Sequence, residues 1–156
     1  MNYESITTCD VSNGEGIGVV LWVSGCDIHC PGCHNKETWD PNSGKEFTIE
    51  VFDKIIEQLN RPEITRFTLS GGHPLMPCNR NMTRLILQGI RNRFNNSKKI
   101  WLYTGYNYNE LDDECRYLCS LCDVVVDGPY IESLRDTSLP FRGSSNQKII
   151  KIKDEK

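Results

Sequence analysis

Ser24-Gly25-Cys26-Asp27-Ile28-His29-Cys30-Pro31-Gly32-Cys33-His34-Asn35 sets three cysteines at C-x3-C-x2-C spacing, directly after an apolar run. Gly25, Pro31 and Gly32 allow a tight fold, so three thiolates can converge on one metal centre. The ligand count carries the information. A structural zinc takes four protein ligands in a closed tetrahedron, and a cubane iron–sulfur cluster is usually held by four cysteines. Three cysteines on a cubane leave one iron open to a further ligand. Zinc completed by His29 or His34 is the alternative for the same loop. Cys30-Pro31-Gly32-Cys33-His34 also spells C-x-x-C-H, a haem attachment signature, which leaves Cys26 without a role.

The elements that must position this loop follow from periodicity. Val19-Val20-Leu21-Trp22-Val23, preceded by the glycine-rich Gly14 to Gly18, reads as a strand buried on both faces. The glycines precede the strand and lack G-x-G-x-x-G spacing, so they read as a turn and not as a dinucleotide fingerprint. Thr48 caps an expected helix through Leu59, with Val51, Phe52, Ile55, Ile56 and Leu59 as its apolar stripe. A strand over Ile64–Leu69 ends at Ser70-Gly71-Gly72-His73-Pro74, and a helix follows near Asn79–Phe94. Lys99–Tyr103 is a third strand, Asn109–Leu121 a third helix, Val124–Val126 a fourth strand and Lys148–Ile152 a fifth. The residues before Gly14 read as a polar lead-in. Strands alternating with helices imply right-handed β-α-β units in a mostly parallel sheet. Ligands of such sheets sit at the carboxyl ends of the strands. The cysteine loop, Gly71-Gly72, Thr104-Gly105 and Asp127-Gly128 all fall there.

Composition narrows the class. The 156 residues are 38% hydrophobic and 25% charged, which suits one domain over 1–156 with a real core. A formal net charge of −3 argues against a nucleic-acid binder that works by neutralising phosphates. No apolar run approaches the roughly 20 residues that span a bilayer, and the first residues do not read as a signal peptide. A cytoplasmic protein is expected. Eight cysteines there point to metal binding for some of them. Cys115, Cys119 and Cys122 repeat the C-x3-C-x2-C spacing, yet at helical positions beside Leu111 and Leu118 they read as core packing and not as a second cluster. Cys9 and Cys78 are isolated in sequence.

The cysteine loop after a first strand, with Ser70-Gly71-Gly72 ending the next, resembles the radical S-adenosylmethionine enzymes. Trp22–Cys26, Trp101–Tyr106, Asp123–Tyr130 and Phe141–Gln147 resemble, more narrowly, the activating proteins of anaerobic ribonucleoside-triphosphate reductase. The fold this resemblance implies is an α/β incomplete β/α barrel. It implies a 4Fe–4S cluster on Cys26, Cys30 and Cys33, with S-adenosylmethionine chelating the open iron. Gly32, Cys33, His34, Gly71, Gly72 and His73 are the implied cofactor contacts, with no catalytic side chain beyond the cluster. One electron from a flavodoxin-type donor then cleaves the sulfonium to a 5′-deoxyadenosyl radical. That radical takes a hydrogen from a glycine of the large reductase subunit.

Three positions depart from the family pattern. The acidic residue usual after the two glycines is His73, the aromatic residue often found before the last loop cysteine is Gly32, and a basic residue before the first strand is replaced by Gly18. Asp127 and Arg142 lie in matching segments, where contact with the cofactor or partner competes with a solvated loop position.

Overall fold

The structure, a computed structural model, describes residues 1–152; residues 153–156 of the expected domain lie outside the described residues. Strands β1 (Asn2–Asp10), β2 (Gly18–Val23), β3 (Lys45–Glu46), β4 (Arg66–Gly71), β5 (Lys99–Tyr103), β6 (Val124–Asp127) and β7 (Lys148–Lys151) form one sheet in the order β3-β1-β2-β4-β5-β6-β7. Helices α1 (Ile49–Leu59), α2 (Arg80–Phe94) and α3 (Asp113–Ser120) connect them. β2, β4, β5 and β6 run parallel, while β1, β3 and β7 pair antiparallel. The expected mostly parallel sheet is therefore parallel only in its centre. The turn over 11–17 is too short for a crossover, so β1 folds back on β2 as a hairpin. β7 starts beside the end of β6, with Asp127 opposite Lys148, and so must run against it.

Alternation along the strands separates two faces. Val19, Leu21, Val23, Phe67, Leu69, Ile100, Leu102 and Val125 join the buried residues of all three helices in the main core. Trp101, Val124 and Val126 belong instead to a second cluster, with Tyr103, Phe141 and Ile149 against them. Helices thus cover one face of an open sheet, and loops cover the other.

Local chemistry sets the helix starts. Thr48 Oγ1 accepts from Val51 N, and Asp112 Oδ1 accepts from Cys115 N at 2.8 Å. The second cap makes α3 shorter than the expected Asn109–Leu121. Leu111 is extended before it, and a separate 3-10 turn spans Tyr108–Glu110. Cys115 and Cys119 lie on α3, but Cys122 lies past its end. All three are buried in the main core, and burial pushes the thiols of Cys115 and Cys119 up to about 12. Neutral buried thiols pack as small hydrophobes. β4 begins at Arg66, later than Ile64, because Ile64 N donates to Arg61 O within a turn.

β1, read as a polar lead-in, is partly exposed and polar, and its stability comes from pairing with β2. The glycine-rich turn after it encloses a buried cation. Arg66 has 0% side-chain exposure and faces Gly18 across the β2–β4 register. Its guanidinium donates to Glu15 O (3.1 Å), Asn13 O (3.1 Å), Thr68 Oγ1 (2.5 Å), Asp10 O (2.8 Å) and Asp10 Oδ2 (2.9 Å). Every donor of the fork is therefore used. A Cβ on Gly18 would stand 2.6 Å from the Arg66 Cζ, so only glycine leaves room for it. The cation absent at position 18 is supplied from the neighbouring strand.

Burial alone would raise the Asp10 carboxyl, but hydrogen bonds from Asn13 and Arg66 and the guanidinium charge hold it below its ordinary value. A depressed carboxyl contributes stability that is complete above its unfolded value, about 3.9, and lost as pH falls through the folded value. Asp10→Ala is expected to cost about 3 kcal/mol at neutral pH by leaving a buried cation unpaired. Urea unfolding should show that difference constant above about pH 4 and shrinking below it.

Candidate metal centre

The loops after β2, β4, β5 and β6 meet at one end of the sheet. A cavity of about 150 Å³ there is lined by Cys26, Cys30 and Cys33, together with Ser70, Gly71, Gly72, Thr104, Gly105 and Gly128. It adjoins a second cavity of about 470 Å³, which is lined by Cys33, His34, Ser70, Tyr130, Arg142 and Gln147 among others. Cys33, Ser70, Tyr103, Tyr130 and Gln147 border both. The larger volume is within the usual range for a cofactor-sized ligand.

Backbone hydrogen bonds seat the cysteine loop. Gly25 N donates to Thr38 O at 2.6 Å, Cys26 N to Trp39 O at 3.1 Å and Cys33 N to Cys30 O at 3.0 Å. Asn35 N approaches Cys33 Sγ at 3.4 Å. The loop after β4 lies directly on this one, with His73 N donating to Gly25 O at 2.7 Å and Gly72 N to Val23 O at 2.8 Å. A Cβ on Gly72 would lie 2.5 Å from Gly25 O, which excludes any larger residue. Gly32 has φ +79, and Glu132 Oε2 would be 2.4 Å from an added Cβ. Glu132 fills the space an aromatic side chain would need.

His73 is 1% exposed, and both ring nitrogens are engaged. Nδ1 is 2.7 Å from Asp27 Oδ1, and Nε2 is 2.7 Å from Thr104 Oγ1. Tyr106 OH donates to Asp27 Oδ2 at 2.6 Å, and Tyr106 N donates to Thr104 Oγ1 at 3.1 Å. Burial lowers the His73 pKa against the opposing pull of Asp27. A neutral ring then donates from Nδ1–H to Asp27 and accepts at Nε2 from the threonine hydroxyl. Burial would raise the Asp27 carboxyl, but the Tyr106 hydroxyl and His73 outweigh it and hold it low. The carboxylate missing after the two glycines thus stands across from them, at Asp27, and its role is to tie three loops together.

The segment Phe141–Gln147 closes the loop-covered face. Ser144 is buried, Asn146 Nδ2 donates to Pro129 O at 2.8 Å, and Gln147 Nε2 donates to Gly128 O at 3.0 Å. Tyr103 OH donates to Phe141 O at 2.5 Å. Asp127 proves structural: its carboxylate accepts from Tyr108 N at 2.8 Å and Lys148 N at 3.1 Å. His34 lies beside Tyr130, with ring centroids 5.6 Å apart, on the wall of the larger cavity.

Burial and the charges of Cys26 and Cys33 push the Cys30 thiol up. Three thiolates gathered in one cavity need positive charge to stay ionised, which bound iron supplies. Among the described residues, no three His, Cys, Asp or Glu side chains converge as ligands of a single ion. Three cysteine thiols lining one cavity are the donor type that an iron–sulfur cluster takes. Trp39 lines the same cavity, and its Nε1 is buried with no acceptor among the described residues; residue type and spacing alone do not point to it.

Comparison with known proteins agrees with this site. Residues 12–150 match the family model described as 4Fe-4S single cluster domain. The anaerobic ribonucleoside-triphosphate reductase-activating protein of Escherichia coli (strain K12) is 44% identical over 149 residues, covering 94% of this chain and 96% of its own. The chain belongs to that family. The activating protein of Vibrio cholerae is 42% identical over 151 residues, 96% of this chain and 97% of its own, and that of Enterobacteria phage T4 is 38% identical over 149 residues, 96% and 93%.

The Asp27–His73 pair makes a test available. His73→Asp sets two carboxylates against each other, and unfolding in urea should show a loss of about 2 kcal/mol. Adding Asp27→Asn should restore a large part of it, a coupling of about 1 kcal/mol or more. Strict additivity would mean that the two side chains do not act together.

Proposed function

We propose that this chain activates an anaerobic ribonucleoside-triphosphate reductase by installing a glycyl radical on its large subunit. In this reading one radical S-adenosylmethionine domain, an incomplete β/α barrel, works in the reducing cytoplasm. The observation that carries the proposal is the single cavity shared by Cys26, Cys30, Cys33 and the glycine loop after β4. The three cysteines hold a 4Fe–4S cluster and leave one iron for the amino and carboxylate groups of S-adenosylmethionine. When bound, the pair supplies reductive cleavage of a sulfonium to methionine and a carbon-centred radical able to take a hydrogen atom from glycine.

The protein's own part is to bind, orient and exclude water. Gly71 and Gly72 line the cavity, and a side chain on either would strike the backbone of β2 or of the cysteine loop, so only glycine lets the two loops close on each other. Gly32 and His34 flank Cys33, and His34 with Tyr130 offers an aromatic wall for an adenine ring in the larger cavity. His73 acts through Asp27 and Thr104, holding the glycine loop against the cysteine loop. The segment from Tyr130 to Gln147 shields the cavity and so keeps a reactive radical from solvent. The electron comes from a flavodoxin-type donor, and the glycine-bearing loop of the large subunit enters from the loop-covered side of the open sheet.

Mixing the reconstituted protein, S-adenosylmethionine, a reduced flavodoxin and the large reductase subunit without oxygen should produce the doublet of a glycyl radical in electron paramagnetic resonance. Cys26→Ala, Cys30→Ala or Cys33→Ala should each abolish it, while Cys115→Ala, which touches only the core, should leave it. A radical formed equally well by the Cys33→Ala protein would refute the assignment.

A further inference from the structure

Trp39 is placed with unusual firmness for a residue in a turn-rich segment. The 3-10 turn Lys36–Thr38 leads into it, Trp39 N donates to Lys36 O at 3.1 Å, and its own carbonyl receives Cys26 N at 3.1 Å. Thr38, the preceding residue, is buried and receives Gly25 N at 2.6 Å. The backbone of Trp39 is therefore tied to the first cysteine of the loop. Its ring is fixed as well: the indole stacks on His29, with centroids 4.3 Å apart and planes 8° from parallel. His29 lies between Cys26 and Cys30 and has φ +52, a left-handed conformation that histidine adopts more readily than most non-glycine residues.

The Trp39 side chain's one polar atom meets no partner among the described residues. Nε1 of Trp39 is buried and has no acceptor, although the residue lines the cavity of Cys26, Cys30 and Cys33. An unmet buried donor costs about 1–3 kcal/mol, and a phenylalanine would stack on His29 without that cost. A buried donor-only group on a residue that lines the cavity of three cysteines is suited to sulfur acceptors.

We infer that the Trp39 indole N–H donates to a sulfur of the cluster or of its ligating thiolates, and that it thereby raises the cluster's reduction potential. The inference rests on the three-cysteine cluster proposed above. A reduced cluster carries one more negative charge than the oxidised form, so a hydrogen bond to its sulfur is stronger after reduction. Trp39 is thus a tuning residue and not a ligand. Asn35 N on Cys33 Sγ, at 3.4 Å, is a backbone contact of the same kind.

Trp39→Phe keeps the stacked ring and removes the N–H. Iron and sulfide content are measured first, on the wild-type chain: without about four irons per chain the underlying reading fails, whatever the variant does. With the cluster present in both proteins, a redox titration followed by electron paramagnetic resonance should place the variant's midpoint lower. The expected change is about tenfold in the equilibrium constant for reduction, ~59 mV for one electron. Wild-type protein labelled with nitrogen-15 in the indole should also show hyperfine coupling of the reduced cluster to that nitrogen and to an exchangeable proton. Equal midpoints with the cluster intact overturn the inference. If Trp39→Phe fails to retain iron, the labelled wild-type spectrum decides, and absence of coupling overturns the inference.

Discussion

Three cysteine thiols are held in one small cavity, where burial disfavours the ionised form a metal needs, and the architecture around Cys26, Cys30 and Cys33 holds them together despite that cost. Burial, and then the charges of its two neighbours, push the Cys30 thiol up. A free loop would relieve that cost by spreading. This one is pinned by Thr38 and Trp39 on one side and by the backbone of Gly72 and His73 on the other. The protein therefore supplies the constraint, and iron bound there would supply the compensating charge.

The constraint is transmitted from the sheet. Parallel strands β2, β4, β5 and β6 end at the same level, so their loops must meet. The Asp27–His73–Thr104–Tyr106 network then joins the loops after β2, β4 and β5 by hydrogen bonds of 2.6 to 3.1 Å. At the opposite end of the same strands, Arg66 gathers Asp10, Asn13 and Glu15 around a buried charge. It locks the β1–β2 turn and so fixes the strand that carries the cysteine loop. Both ends of β2 are thus held by polar groups whose removal exposes a buried partner.

Much of this was legible in the sequence. Apolar periodicity located α1, α2 and strands β2, β4, β5, β6 and β7, because their burial is one-sided or complete; it did not locate β3, whose two residues are exposed. It did not reveal β1, whose Asn2–Asp10 residues are largely polar and owe their place to a ladder of backbone bonds. Nor did it reveal strand direction at the sheet edges, which the turn over 11–17 and the pinning of Gly128 and Pro129 decide. The cysteines and the glycine loop were readable because residue type and spacing carry their chemistry. Asp27, Arg66 and Trp39 were not. Each acts through a partner distant in sequence, and His73, placed by its motif among the cofactor contacts, shows its link between Asp27 and Thr104 only in the fold.

The central claim is that three cysteines leave one iron of the cluster open. Mössbauer spectroscopy of the protein loaded with iron-57, recorded with and without S-adenosylmethionine, tests this most directly. About four irons per chain, one of which changes its parameters on addition of the cofactor, is the predicted result. A spectrum that the cofactor leaves unchanged at every iron would contradict the account.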